Sequence, residues 1–364
     1  MKNMCIGVLG GMGTYATINV FRQYAEIFPA EKEWDRPRII IDNKCTMPSR
    51  VRAFLYDENV DILVSEMVDS IKSLIYSGCN RIILACNTSH LFLPKIFEKY
   101  PESKKYIVNI IDVCSEYLCH KAKKVFLLGS EATIESKLYQ QALIKYGIET
   151  ISPDKSEYSM IRNCIEAVKQ NKYTEEIEEI FCSLINRYDS CILGCTELPV
   201  LYDRCRKSGG VKCDNVIDPL YLSLTKLKKE YYETKILTFG VYDYFHLGHL
   251  RLFKQCKEYA DYLIVAVQNG DYILKFKPDA RVLYSTSERI EMISSLKMVD
   301  EVIMYDTVCP DVLQRIDFDI LALGEDHIGE RFDNLINWCV QNSKKVVRLK
   351  RTPGISSSEI KLKK

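Results

Sequence analysis

Four residues stand out for their chemistry, two cysteines in the first part of the chain and two histidines in the second. Cys86 lies in Leu84-Ala-Cys-Asn-Thr-Ser-His90 and Cys195 in Leu193-Gly-Cys-Thr-Glu-Leu-Pro199. In both, a short apolar run stops at a cysteine and polar residues follow, the pattern of a strand ending and a helix beginning. Free backbone N–H groups and the helix dipole at such a junction stabilise a thiolate. Asn87, Thr88 and Thr196 come next, with side chains able to bind a carboxylate. Two thiols on opposite sides of a cleft supply the base and the acid that inversion at a carbon needs, and they exchange roles in the reverse direction. One such cysteine is ordinarily a core residue. Two in matching positions argue for function.

The matching positions belong to a faint repeat. Leu9-Gly-Gly-Met-Gly-Thr-Tyr-Ala-Thr17 is similar to Leu128-Gly-Ser-Glu-Ala-Thr133, each a strand running through Gly into a helix start that bears Thr. Thr14 and Thr133 become substrate-binding candidates. Two similar halves, each donating a strand-end cysteine, predict a pseudo-twofold pair of lobes with a cleft between them.

The histidines lie in Gly240-Val-Tyr-Asp-Tyr-Phe-His-Leu-Gly-His249, after an apolar run and at the start of a helical pattern. His246 and His249 are three apart, hence expected on one face of the first helical turn, where backbone N–H groups attract phosphate. Gly248 lets a phosphate approach the backbone. The chemistry is that of a nucleotide α-phosphate site, with two imidazoles stabilising charge in the transition state. Gly240 and Asp243 belong to the same segment. Lys275 and Lys277 form a basic loop suited to β- and γ-phosphates, and Arg351-Thr-Pro-Gly-Ile-Ser-Ser-Ser358 is a second hydroxyl-bearing phosphate cradle.

The elements that must hold these residues are legible. The 364 residues imply two or three compact units. Short apolar runs alternate with helical patterns, which indicates an α/β fold with parallel sheets. Strands are expected at 5–9, 38–42, 81–85, 125–128 and 191–193, then at 235–239, 262–267, 301–305, 320–323 and 345–349. Long amphipathic helices are expected at 61–76 and 175–187. A charged stretch over 224–235 marks the boundary between a first module, 1–228, and a second, 233–364. The net charge of +1 gives no field for nucleic acid or a membrane surface. The fifteen cysteines show no paired C-x-x-C spacing, so they read as reduced core residues of a cytoplasmic protein with no metal site. The apolar start of the chain breaks at Gly10-Gly11 and reads as a strand rather than a signal peptide. No run of eighteen apolar residues is present to span a membrane.

Gly10-Gly-Met-Gly13, Ala85-Cys-Asn-Thr-Ser-His90 and Gly194-Cys-Thr-Glu-Leu-Pro199 resemble the aspartate/glutamate racemase family over about residues 4–225. The resemblance implies a two-lobed module that racemises without a cofactor, using both cysteines. It also implies that Arg50, in Met47-Pro-Ser-Arg50, and Lys169, in Ala167-Val-Lys169, hold the distal carboxylate of aspartate or glutamate. Two cations there would reject a neutral side chain. His90 is expected to be structural, because the thiols already complete the chemistry, and His120 to be solvated among lysines. Arg52 and Glu197 each either line the cleft or pair locally.

Residues 234–361 resemble the cytidylyltransferases, most closely the glycerol-3-phosphate type, through the H-x-G-H motif, Arg351-Thr-Pro-Gly-Ile-Ser356 and Val299-Asp-Glu-Val302. A Rossmann-like nucleotidyltransferase domain is implied. His246, His249, Lys275 and Lys277 would contact the triphosphate, Asp243 and Asp300 would support the site, and Asp326, Arg351, Thr352 and Ser356 would help to hold CTP. Magnesium is the expected counter-ion. Val241, Lys297 and His327 depart from the family pattern and bear on the second substrate and on rate more than on CTP. The expectation is a bifunctional enzyme acting on an acidic amino acid, CTP and a phospho-alcohol, and assembling as a homo-oligomer. The rival readings are a transferase regulated by a non-catalytic amino-acid sensor, and an adenylyltransferase.

Overall fold

The computed structural model describes residues 4–276, 282–325 and 327–355, save the side chains of Leu274 and Phe276. The chain forms two compact units that meet between Tyr231 and Tyr232, near the end of the helix Pro219–Tyr232.

The first unit holds two four-stranded sheets. One contains β1 (Cys5–Gly10), β2 (Arg38–Asn43), β3 (Arg81–Leu84) and β4 (Ile107–Val108). The other contains β5 (Lys124–Gly129), β6 (Glu149–Ile151), β7 (Ser190–Gly194) and β8 (Asn215–Ile217). Their orders, β2-β1-β3-β4 and β6-β5-β7-β8, are the same order repeated, and every pairing is parallel. This is the pair of related lobes that the repeat predicts. The edge strands β4, β6 and β8 are additional to the sequence expectation. Two or three residues are too few to show a period.

Alternation along the strands sorts their side chains into three cores. Ile6 and Val8 of β1, Val125 and Leu127 of β5 and Ile192 of β7 all enter one cluster, so the two lobes share a core. The opposite faces serve one lobe each: Cys5 and Leu9 in the first, Phe126, Leu128, Cys191 and Leu193 in the second. Strands buried on both faces read as continuous apolar runs. Gly129 pairs with Gly194, and a Cβ on Gly194 would come within 2.7 Å of Leu127 Cδ1, so glycine is what lets the strand ends close up.

The second unit is a single five-stranded parallel sheet, formed by β9 (Lys235–Gly240), β10 (Tyr262–Gln268), β11 (Glu301–Tyr305), β12 (Ile320–Gly324) and β13 (Lys345–Leu349). The order β11-β10-β9-β12-β13 reverses direction beside β9, as in Rossmann-like folds. Leu263, Val265 and Val267 pack on one face, and Ile264 and Ala266 on the other. Among the described residues, no helix is long and apolar enough to cross a membrane.

Because Leu127 is fully buried in the core common to both lobes, Leu127→Ala should cost about 2–5 kcal/mol. Thermal unfolding followed by circular dichroism should show the first unit melting in one shifted transition, not as two separate lobes.

Candidate active sites

In each sheet of the first unit the order reverses beside the first strand, which leaves a crevice at the strands' carboxyl ends. The first sheet brings there the Gly10–Gly13 loop after β1 and Cys86 after β3. The second brings Gly129 and Ser130 after β5 and Cys195 after β7. Cys86 is buried and Cys195 partly so. Cys195 Sγ donates to Glu197 Oε2 at 3.0 Å. Burial, Glu197 and the field of Cys86 together push the Cys195 thiol well above its usual range, against the pull of Lys169. It is therefore a proton donor at neutral pH, and the two sulfurs lie close enough to feel each other.

The polar residues after the cysteines tie the lobes together. Tyr139 OH donates to Asn87 Oδ1, Thr196 Oγ1 donates to the Ala85 carbonyl at 3.3 Å, and Thr88 Oγ1 lies 3.1 Å from both Ser130 Oγ and Thr133 Oγ1. Asn87 Nδ2 and Glu197 Oε1 are buried with no hydrogen-bond partner. Glu197 lies against Gly13, where any Cβ would collide with its carboxylate. Arg50 donates to the carbonyls of Met12 at 3.0 Å and Pro48 at 3.2 Å, while its Nε is buried without a partner. Lys169 bonds Glu166 at 2.8 Å. Burial works against its charge, but Glu166, Glu197 and Cys195 outweigh that and raise its pKa. Thr14 is exposed at the rim, where it accepts from Asn43 Nδ2 at 3.4 Å.

His90 is buried beneath Cys86. Its Nδ1 lies 3.0 Å from the Cys86 carbonyl and must donate, and its Nε2 accepts from the Ile110 amide at 3.4 Å. Both nitrogens serve the backbone, and burial lowers its pKa to about 4. Its contacts fit the structural role that the sequence leads one to expect.

In the second unit the loop after β9 is strained. Tyr242 and Tyr244 hold φ values of 57° and 51°, a region that costs a bulky residue of order 1–3 kcal/mol. His246 is the N-cap of the helix Leu247–Tyr259, just outside the helix rather than in its first turn, and its Nδ1 accepts from Gly248 N at 3.1 Å. The His246 and His249 rings still stack, with centroids 3.9 Å apart. Burial and Arg351 lower the His246 pKa; burial and His246 lower that of His249 to about 3. His249 Nδ1 is buried and has no partner. Two neutral, stacked imidazoles with an unmet ring nitrogen are arranged to meet phosphate oxygens at the helix start.

Three comparisons with known proteins bear on both units. The family model for Asp/Glu/Hydantoin racemase matches residues 9–225, and that for Cytidylyltransferase-like matches residues 237–363. A glycerol-3-phosphate cytidylyltransferase of Staphylococcus aureus is 35% identical over 130 residues, which cover 35% of this chain and 92% of that protein. The chain belongs to both families. The broad specificity amino-acid racemase RacX of Bacillus subtilis is 27% identical over 208 residues, covering 54% of this chain and 87% of that one. Among solved structures, the Picrophilus torridus aspartate racemase overlays with a TM-score of 0.53 at 28% identity, over 63% of this chain and 97% of that chain.

Within the racemase module the structure brings Cys86, Cys195, Asn87, Thr88, Thr133 and Thr196 together, with Ser130 and Glu197 joining them. Glu197 belongs to the site. Arg52, itself exposed, instead pairs with Glu58 at 2.6 Å, and His120 is exposed beside Cys119. Within the cytidylyltransferase-like module, Arg351 approaches His246 closely enough to shift it, and Ile355 O faces Gly248. Lys275 is exposed on the helix Gly270–Phe276, and Thr352 is partly buried. Asp243 accepts from the amides of Leu283 and Tyr284 at 3.1 Å, so it anchors the segment facing the motif. Asp300 is a correction. It bonds Lys257 at 2.8 Å and the Leu263 amide at 2.7 Å, at the amino end of β10. The site lies at the carboxyl ends, five residues or ~17 Å along the strand. Lys277, Asp326 and Ser356 lie outside the described residues. Sequence reasoning missed Arg289, which is fully buried and donates to the carbonyls of Val241 (2.6 Å), Gln268 (2.8 Å) and Tyr284 (3.2 Å). It pins the strained loop from behind.

Two outcomes are expected. His90 is neutral in the folded chain down to about pH 4 but takes a proton near 6.5 when unfolded. Its contribution is complete above pH 6.5 and is lost as pH falls toward 4, an effect worth ~3 kcal/mol. His90→Asn keeps a donor near the Nδ1 position but cannot titrate, so urea unfolding across this range should show a shallower slope. Arg289→Leu leaves three carbonyls unmet and should cost about 1–3 kcal/mol for each one left buried, read as a lower urea midpoint.

Proposed function

We propose that the chain is a bifunctional enzyme whose first module racemises aspartate or glutamate without a cofactor. The placement of Cys86 and Cys195 at matching strand ends, within each other's field, carries this reading. One thiolate removes the α-proton and the opposite thiol delivers one to the other face, after which the protonation states are exchanged. Asn87 Nδ2 and the Thr88, Ser130 and Thr133 hydroxyls suit the α-carboxylate, Glu197 Oε1 suits the α-ammonium, and Arg50 and Lys169 suit the distal carboxylate. The free cysteines fit a reducing compartment, the cytoplasm.

The second module transfers a cytidylyl group to a phosphorylated alcohol. An acceptor phosphate oxygen forms a bond to the α-phosphorus of CTP. The bond to the β-phosphate bridging oxygen breaks, and pyrophosphate leaves with the electron pair. His246 and His249 donate N–H to the charge that develops, and Lys275 and Arg351 answer the remaining phosphates. Magnesium is the expected counter-ion of the CTP phosphates.

In deuterated water, L- or D-aspartate or glutamate should gain α-deuterium and racemise with no added cofactor. Cys86→Ala and Cys195→Ala should each abolish racemisation, because inversion needs both an acid and a base, and racemisation at the wild-type rate in Cys86→Ala would defeat the two-thiol mechanism. Arg50→Leu should raise KM for the acidic amino acid at least tenfold. His249→Ala should cut pyrophosphate release by two to three orders of magnitude while CTP binding changes less. The Cys86→Ala chain should keep full transferase activity. A transferase rate that responds several-fold to aspartate, with no α-exchange, would instead make the first module a sensor.

A further inference from the structure

Asn87 differs in kind from the hydroxyls near it. Thr88 Oγ1 lies 3.1 Å from both Ser130 Oγ and Thr133 Oγ1, which are themselves 3.0 Å apart. Each of these groups can donate or accept, and its hydrogen turns to suit a ligand. An amide has one donor end and one acceptor end of nearly the same shape. Toward a carboxylate only the donor end is useful, because the carbonyl oxygen would meet a negative charge.

Tyr139 decides which end is offered. It stands in the second lobe, on the helix Leu138–Leu143, and its side chain is fully buried in the core common to both lobes. Burial, with Cys114, Asp218 and Cys195 adding to it, pushes the phenol well above its usual range, so it keeps its hydrogen. Among the described residues the partner of this hydroxyl is Asn87 Oδ1. Asp218, the acid in its field, already accepts from Gln23 Nε2 at 2.7 Å and from the Leu220 amide at 2.9 Å. Were the Asn87 amide turned over, its N–H end would face the phenol oxygen and the phenol hydrogen would be buried with no acceptor, which disfavours that orientation. The orientation observed leaves Asn87 Nδ2 as the unmet donor.

We propose that Tyr139 is a positioning residue for racemisation: from the second lobe it holds the Asn87 amide of the first with its N–H end ready for the substrate α-carboxylate. The inference rests on the racemase reading above. When one thiolate takes the α-proton, the electron pair left on the α-carbon spreads onto the carboxylate and its charge grows. The opposite thiol then gives a proton to the other face of that carbon, and the charge recedes. A donor oriented in advance meets the growing charge without reorganising. Tyr139 acts on the reaction through Asn87.

The test is a double-mutant cycle in the full-length protein, with racemisation of aspartate and glutamate as the readout. Tyr139→Phe should lower kcat/KM at least fivefold, with kcat falling more than KM rises. In an Asn87→Ala background the same replacement should change kcat/KM less than twofold, because the amide it orients is gone. Where a variant turns over too slowly, calorimetric Kd values for the same amino acids close the cycle. Wild-type kinetics in Tyr139→Phe overturns the proposal. So does an equal fall in both backgrounds, which would make Tyr139 a packing residue only; melting curves of all four proteins report that part separately. Absence of racemisation in the unaltered protein defeats the racemase reading itself.

Discussion

The racemase module depends on where two strands stop. β3 and β7 each end one or two residues before a cysteine, and the residues just beyond bond across to the other lobe: Asn87 to Tyr139, Thr88 to Ser130 and Thr133, Thr196 to the Ala85 carbonyl. These bonds hold both sulfurs at one cleft. They form only because β5 and β7 approach closely at Gly129 and Gly194 and because His90 grips the Cys86 carbonyl from beneath. A shift of either strand by one residue would turn its cysteine to the other face of the sheet and part the thiols.

The two sites share an energetic signature. Asn87 Nδ2, Glu197 Oε1 and Arg50 Nε in one module and His249 Nδ1 in the other are buried polar atoms with unmet hydrogen bonds. Each costs about 1–3 kcal/mol in the free protein. The loop carrying the histidine motif adds the left-handed backbone of Tyr242 and Tyr244. A ligand that supplies the missing partners offsets this cost. The surrounding cores tolerate it because Arg289 and Asp243 bond the strained loop through main-chain groups on both sides.

The motifs that carry chemistry were legible in the sequence because strand ends and helix starts leave a local mark: apolar run, glycine, polar residue. The same marks placed ten strands and the repeat relating the lobes. The edge strands β4, β6 and β8 left none, being two or three residues held by their neighbours' hydrogen bonds. Arg289 was invisible because a buried arginine satisfied by carbonyls has no partner residue to pair it with in the sequence. Asp300 was misplaced for the opposite reason. It sits in a motif-like segment, but the motif lies at the sheet's far edge and the side chain staples a strand start. Glu197 stayed undecided until the Cys195 thiol was seen bonded to it.

The core common to both lobes constrains how substrate comes and goes. Leu127, Ile192, Ile6 and Val8 are fully buried in it and draw on strands of both sheets. Prising the lobes apart like a clamshell would wet that cluster, at roughly 25 cal/mol for every Å² of apolar surface exposed. The two halves are therefore clasped by the same side chains that fill them, and separating them costs the module part of its own core.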